Sequence, residues 1–281
     1  MAIFLRQSHN IKPPLWGSPA DRQYAIWRNL EDIYRCNHES EVLIMPLFWG
    51  LPPMDYSGQN NHGTNHGATY KDGSLDFDGG DDYVDLPNDI VPVTTIASEG
   101  VTLNAWVKID TLGILKAIVG QKSDVDHTHF SSGGIRVSNN NKAQITVYNG
   151  AYKHLEGTTV LNTTNLYHIV GTFDPSDDQT RIYVNGNLEN TSVGNSGVFL
   201  AGTNIGYIGR KHYSVGHEFY FNGLIDEVRI SNVARTADQI ALFNDNKYGL
   251  YQPVSRPIWS IPAAEGISIP IAQYYYQQQR V

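Results

Sequence analysis

One cysteine, Cys36, occurs in 281 residues, so no disulfide can form within the chain. That scarcity fits folding in a reducing compartment. No segment reaches the roughly 18–20 apolar residues of a membrane-spanning helix. Met1 to Asn10 hold no apolar stretch of the length a secretory signal needs. Basic residues are outnumbered, 20 Lys and Arg against 28 Asp and Glu, for a net charge of -8. Such a surface does not neutralise phosphates, and no basic run offers a local exception, so nucleic acid is not expected as a partner. Nucleophile signatures are also missing. No Gly-x-Ser-x-Gly occurs, and Cys36 has no obvious base.

What is present is β chemistry. There are 17 tyrosines against three methionines, and turn formers are abundant. Glu41 to Trp49 reads as a buried strand because its apolar residues are nearly continuous. Further strands are expected at Leu75–Asp78, Tyr83–Leu86, Val101–Ile109, Ile114–Lys122, Gly134–Ser138, Ala143–Tyr148, Tyr167–Phe173, Gly202–Arg210 and Glu218–Ile230. Gly79-Gly80 reads as a hairpin turn or bulge between two of them. Asn185-Gly186, flanked by alternating apolar residues, is the strongest hairpin signal. Strands recurring about every ten residues predict an antiparallel sandwich or barrel. Thr236-Ala-Asp-Gln239 is a capping box opening one short helix.

Asp226 stands out within Gly223-Leu-Ile-Asp-Glu-Val-Arg-Ile230. Period-two alternation puts Leu224, Asp226, Val228 and Ile230 on one face, and Ile225, Glu227 and Arg229 on the other. If the first face is the core face, a carboxylate lies in or beside a core and needs a partner.

Six segments in order carry a family pattern: Leu75-Asp-Phe-Asp-Gly-Gly-Asp-Asp-Tyr-Val84, Thr102-Leu-Asn-Ala-Trp-Val107, His168-Ile-Val-Gly-Thr-Phe-Asp174, Ile182-Tyr-Val-Asn-Gly186, Ile205-Gly-Tyr-Ile-Gly-Arg210 and Phe221 to Ile230. Over about residues 45–245 the chain resembles the laminin-G-like, concanavalin A-like jelly-roll domains. The resemblance implies an all-β antiparallel sandwich of two sheets packed face to face. In related families a carboxylate like Asp226 often faces a calcium ion, held also by backbone carbonyls. Here Asp226 with Asp78 and Gly79 is the metal candidate that the resemblance implies, and hard oxygens suit calcium. The alternative is that Asp226 accepts backbone N–H bonds or pairs with an arginine. Glucan-cutting relatives carry Glu-x-Asp-x-x-Glu on one strand, and this chain has no such motif. An enzyme is therefore not expected.

Other chemistry is weaker. Asp81-Asp82 and Asp177-Asp178 read as turn residues. Asp124-Val-Asp-His127-Thr-His129 offers two histidines without a third spaced ligand, a poor zinc pattern. Sugar binding uses aromatic faces and planar polar groups. Tyr148, Tyr152, His154, Tyr213 and His217, with Tyr220, lie at or near strand ends and are the candidate ligand-binding residues. Their alternative is sheet packing.

The flanks differ from the sandwich. Residues 1–40 form an N-terminal docking arm: Pro13, Pro14 and Pro19 keep it extended, and Asp21–Tyr34 has helical spacing. The sandwich takes 41–246. A Pro-rich extended C-terminal tail takes 247–281, with Ile267, Ile269 and Ile271 alternating as an added strand would. The Lys-Pro-Pro-Leu arm, and Tyr248-Gly-Leu-Tyr251 before its tail, are similar to proteins in phage and environmental sequences. Phe4, Leu15, Trp16, Ile258 and Trp259 are the expected assembly contacts. Together these features lead to the expectation of a non-enzymatic virion attachment protein: capsid decoration, fibre or tail component. It would be assembled in the host cytoplasm, displayed on the particle surface, and partnered by other virion proteins, copies of itself and glycans. A free extracellular lectin is the alternative.

Overall fold

The computed structural model describes residues 40–47, 52–123, 134–148, 152–194, 204–214 and 217–245. The chain divides into two compact units, Met1–Tyr251 and Gln252–Val281, and every described residue belongs to the first. In chain order its elements are β1 (Glu41–Met45), β2 (Thr64–His66), β3 (Thr69–Lys71), β4 (Ser74–Asp78), β5 (Tyr83–Asn88), α1 (Val93–Glu99), β6 (Val101–Ile109), β7 (Lys116–Ser123) and β8 (Gly134–Val137). There follow β9 (Lys142–Tyr148), β10 (Tyr152–Val160), β11 (Leu166–Asp174), β12 (Gln179–Val184), β13 (Asn187–Val193), β14 (Asn204–Ile208), β15 (Arg210–Ser214), β16 (His217–Tyr220), β17 (Asn222–Ser231) and α2 (Ala237–Asp245).

Two antiparallel sheets form the sandwich. The larger runs β13-β12-β11-β6-β17-β4-β3, with β1 also paired to β17, and the other runs β10-β9-β8-β7-β14-β5-β2. Alternation supplies the core. Val101, Leu103, Ala105, Val107 and Ile109 of β6 meet Ile135 and Val137 of β8 and Ala143, Ile145 and Val147 of β9. The sheets come so close at Gly171 that an added Cβ would sit 2.7 Å from the Ile135 and Ile145 side chains. The Asn185-Gly186 hairpin forms as its sequence predicts, both residues having positive φ (50° and 79°). The capping box also forms: Thr236 N–H donates to Gln239 Oε1 at 3.0 Å, and Gln239 N–H to Thr236 Oγ1 at 3.4 Å. Helix α2 then lays Ile240 against Val170 and Tyr183 on the outer face of the larger sheet.

Several expectations are corrected. Gly79-Gly80 is not a hairpin, because β4 and β5 lie in different sheets and the glycines carry the chain across. The single strand expected at 218–230 is two, β16 and β17, in separate sheets. Strand β10 and helix α1 have no counterpart among the predicted elements.

The largest correction concerns β17. Its pairing with β6 is irregular between Asp226 and Arg229, and Glu227 has φ 50°. One extra residue at this bulge reverses the alternation. Ile225, Val228 and Ile230 all join the core, and Leu224 does not. Asp226 therefore faces outward, opposite Trp106.

The bulge sits where β17 changes neighbours on one edge. Residues 222–225 pair with β4, and 228–231 pair with β1. Around it the outer face holds buried ion pairs. Arg229 donates to Glu227 at 3.0 Å, and Arg235 to Glu41 at 2.9 Å. Ser231 also donates to Glu41, at 2.9 Å. The docking-arm helix, the Asp124–His129 loop, the C-terminal tail and the contacts Phe4, Leu15, Trp16, Ile258 and Trp259 lie outside the described residues.

Candidate functional site

On the outer face of the seven-stranded sheet, register lines up one row of residues. Thr64 pairs with Asp85, Asp85 with Tyr207, Tyr207 with Gly120, Gly120 with Gly134, Gly134 with Thr146, and Thr146 with His154. From Asp85 to His154 each neighbours a core residue in its own strand: Val84, Ile208, Val119, Ile135, Ile145 and Leu155 face inward. Gly120 and Gly134 lie on adjacent strands, so the sheet carries no side chain at these two positions. Glycine inside a strand weakens it, and often marks close approach by a ligand or another backbone. Tyr207 and Thr146 flank the glycines three strand spacings apart, roughly 14 Å. The middle of the row is buried and its ends meet solvent: His154 is exposed, and Asp85 is half-buried.

One wall comes from β8, β9 and β10. Arg136 lies two residues from Gly134 and is buried. Its Nε donates to Gln144 Oε1, and its Nη2 lies 3.0 Å from His154 Nδ1. Arginine only donates, so His154 Nδ1 is the acceptor and this imidazole carries its proton on Nε2. Thr146 Oγ1 stands 3.1 Å from the same nitrogen. Gln144 Nε2 donates to Glu156 Oε1 at 3.0 Å, and Asn140 Nδ2 to Glu156 Oε2 at 3.3 Å. Tyr152 stacks on His154 at 5.6 Å and 20°. Burial pulls the Arg136 guanidinium down to about 10, against smaller upward effects from Tyr152 and Glu156.

The other wall comes from β2, β5, β14 and β15. Tyr83 stacks with His66 at 4.3 Å, and the Arg210 guanidinium lies over it at 3.6 Å. Arg210 also covers Tyr207, at 4.6 Å. Asp85 ties these together, 3.1 Å from His66 Nε2 and 3.5 Å from Arg210. Burial pushes the Tyr207 phenol up, Arg210 opposing.

Of the predicted binding residues, Tyr148 and Tyr152 are cross-strand partners on β9 and β10, one pair along from Lys153, and His154 follows on the same face as Tyr152. Tyr213 and His217 lie on the separate β15–β16 hairpin, which pairs Ser214 with His217. The described residues do not bring the two groups together. Sequence reasoning missed Arg136, Gln144, Tyr207 and Arg210, whose convergence depends on pairing between distant strands. The two glycines carried no signal without that register.

Asp226 finds amide partners. Its Oδ1 accepts from Glu227 N–H at 2.8 Å and from Leu47 N–H at 3.3 Å. Asp78 is opposite Asn222, four residues along β17 from Asp226, or roughly 13 Å. Asp226 thus lies well along β17 from Asp78 and Gly79, and its described partners are amide donors. Asp78, Asp81 and Asp82 do approach within 4.8 Å of one another. Their described bonds are those of a turn: Gly80 N–H donates to Asp78 at 2.7 Å, and Asp78 N–H to Asp82 at 2.8 Å. Burial pushes the Asp82 carboxyl up, and Asp78, Asp81 and Asp76 add to the shift.

A model of the concanavalin A-like lectin/glucanases superfamily matches residues 78–241. No curated protein matches the chain. Among solved structures, Trypanosoma rangeli sialidase is 16% identical, with TM-score 0.59, over 82% of this chain and 39% of that one. The receptor binding domain of botulinum neurotoxin C/D mosaic serotype is 12% identical, with TM-score 0.55, over 74% of this chain and 51% of that one. The chain thus spans about half or less of these structures, and at such identities the likeness is one of fold.

Proposed function

Because the chain belongs to the concanavalin A-like lectin/glucanases superfamily, we propose that it is a non-enzymatic glycan-binding attachment module whose contact surface is the glycine-floored row. The observation carrying this reading is the stretch without side chains at Gly120 and Gly134 between two walls of planar polar and aromatic groups. Tyrosine faces stack on the apolar side of a sugar, while amide, imidazole and guanidinium groups bond its hydroxyls.

Catalysis is a poorer fit. Glycoside cleavage wants two carboxyl groups about 5–10 Å apart. The carboxylates beside this row are Asp85 on β5 and Glu156 on β10, at opposite walls. Five strand spacings separate them, roughly 24 Å.

The module sits, in this reading, on a virus particle as capsid decoration, fibre or tail component. The Pro-rich flanks support it, with Phe4, Leu15, Trp16, Ile258 and Trp259 as contacts to other particle proteins or to copies of itself. Glycan-array binding by the whole protein tests the binding role. Binding is expected, and its loss is expected in Gly134→Leu, which fills the floor. An array with no signal sinks the reading. Light scattering tests the assembly role: a strictly monomeric chain with protease-sensitive flanks favours the second reading, a free extracellular lectin.

A further inference from the structure

We infer that the glycan taken by this row is acidic, its anionic group being received by Arg136; the inference rests on the glycan-binding reading above. A guanidinium offers five N–H donors. In Arg136 the structure engages two, and both acceptors, Gln144 Oε1 and His154 Nδ1, are neutral. Among the described residues no carboxylate lies within ion-pair distance of Arg136, whereas the buried Arg229 and the half-buried Arg235 each have one. Arg136 is 6% exposed. A buried cation without a counterion is costly, and the other buried arginine among the described residues, Arg229, has its carboxylate in Glu227.

The placement directs the unused donors. Arg136 shares its face with Gly134, two residues away on β8, and stands opposite Ala117 on β7. Small residues thus border it on the side toward the centre of the sheet. Gln144 and His154 hold it from the other side, on β9 and β10. Nη1 and the remaining Nη2 hydrogen form the fork that matches two oxygens of one acid group. Glu156 does not fill this role, because its two oxygens accept from Gln144 and Asn140. The opposite wall differs. Arg210 and His66 there share the Asp85 carboxylate, so that side is balanced and suits neutral hydroxyls.

The acid group is a carboxylate of a sugar acid or a sulfate ester, which share this chemistry. Calorimetry of the whole protein against an oligogalacturonide, its methyl ester and a sulfated galactan oligomer separates the sources. The oligogalacturonide is expected to bind at least tenfold more tightly than its ester, and that margin to shrink in 0.5 M salt. Arg136→Met is expected to erase the margin; Arg136→Lys, which keeps charge without the fork, is expected to retain a reduced one. Circular dichroism confirms that each variant is folded. Tighter binding of the sulfated ligand than of the ester, also erased in Arg136→Met, assigns the sulfate source and supports the inference. Binding of acid, ester and sulfated ligand with equal affinity overturns it and leaves the glycan reading standing. A margin that survives Arg136→Met in a folded protein also overturns it. No binding of any glycan removes both.

Discussion

Truncating Asp226 strands two amide donors, those of Glu227 and Leu47. Each marks a break in the ladder where β17 passes from β4 to β1. Buried donors left unmet cost about 1–3 kcal/mol. Asp226→Ala is expected to lower stability by that amount in urea titration, and Asp226→Asn, which keeps an acceptor oxygen, by less. Added chelator is expected to leave the unmodified protein's midpoint unchanged; a drop matching Asp226→Ala would restore the calcium expectation. Lys116 is the opposite case. Its side chain is fully buried, with Nζ donating to the Ile114 carbonyl at 3.3 Å. Burial lowers its pKa from the usual 10.5. The folded state therefore releases this proton before the unfolded state does, so its contribution to stability rises with pH through the window just below 10.5. Lys116→Met is expected to raise the urea midpoint at pH 7 and to flatten the wild-type rise toward pH 10. Equal pH slopes in the two proteins would count against a charged, desolvated amine.

Hairpins and edges carry the next scale. Gly186 has φ 79°, and an added Cβ would come within 3.1 Å of Asn244 on α2. Its partner in the turn, Asn185, also accepts from His168 N–H at 2.9 Å. Gly186→Ala is expected to cost about 1–2 kcal/mol, from the left-handed backbone alone, read as a shift in midpoint with an unchanged denaturant slope. At the open side of the sandwich, Glu189 of β13 accepts from the Thr158 and Thr159 amides at 2.8 and 3.0 Å. It thereby occupies amides of the edge strand β10, a device against edge-to-edge association. Glu189→Ala is expected to increase concentration-dependent aggregation on light scattering more than it lowers the thermal midpoint. The elements readable in advance were those written locally. Asn185-Gly186 demands its turn, Thr236 and Gln239 cap one helix, and β6 alternates without interruption. The bulge at Glu227 was not readable, because glutamate has no local preference for positive φ and the cause is a change of strand partner. Gly79-Gly80 failed for the same reason, since a turn between strands looks alike whether it joins one sheet or crosses between two. Tyr152 and His154 were found as aromatics near a strand end. Arg136 and the two glycines beside them were not, because only register across β7, β8 and β9 brings them into one site.

At the scale of the whole molecule, the matched family region and the sandwich do not coincide. The match begins at residue 78, after β1, β2, β3 and most of β4. Those strands are not additions to a finished domain. Leu43, Met45, Leu75 and Phe77 belong to the main core. β4 and β1 pair with β17 along one edge on either side of its bulge. The buried Glu41 pairs with Arg235 and receives Ser231, from 190 residues away in the chain. Such distant pairing also makes slow folding the expectation for this topology. A chain cut to 78–241 would leave Arg235 without its carboxylate partner and remove the core residues of the first four strands. That fragment is expected to show no cooperative urea transition and to bind a hydrophobic dye. A chain of residues 40–245, which keeps both sheets, is expected to unfold in one transition, coincident by circular dichroism and tryptophan fluorescence. The comparison bears on binding too, because β2 supplies His66 to one wall of the row. Cooperative unfolding of 78–241 at the midpoint of 40–245 would mean that the first four strands decorate the fold, and that the row's wall at His66 is dispensable to it.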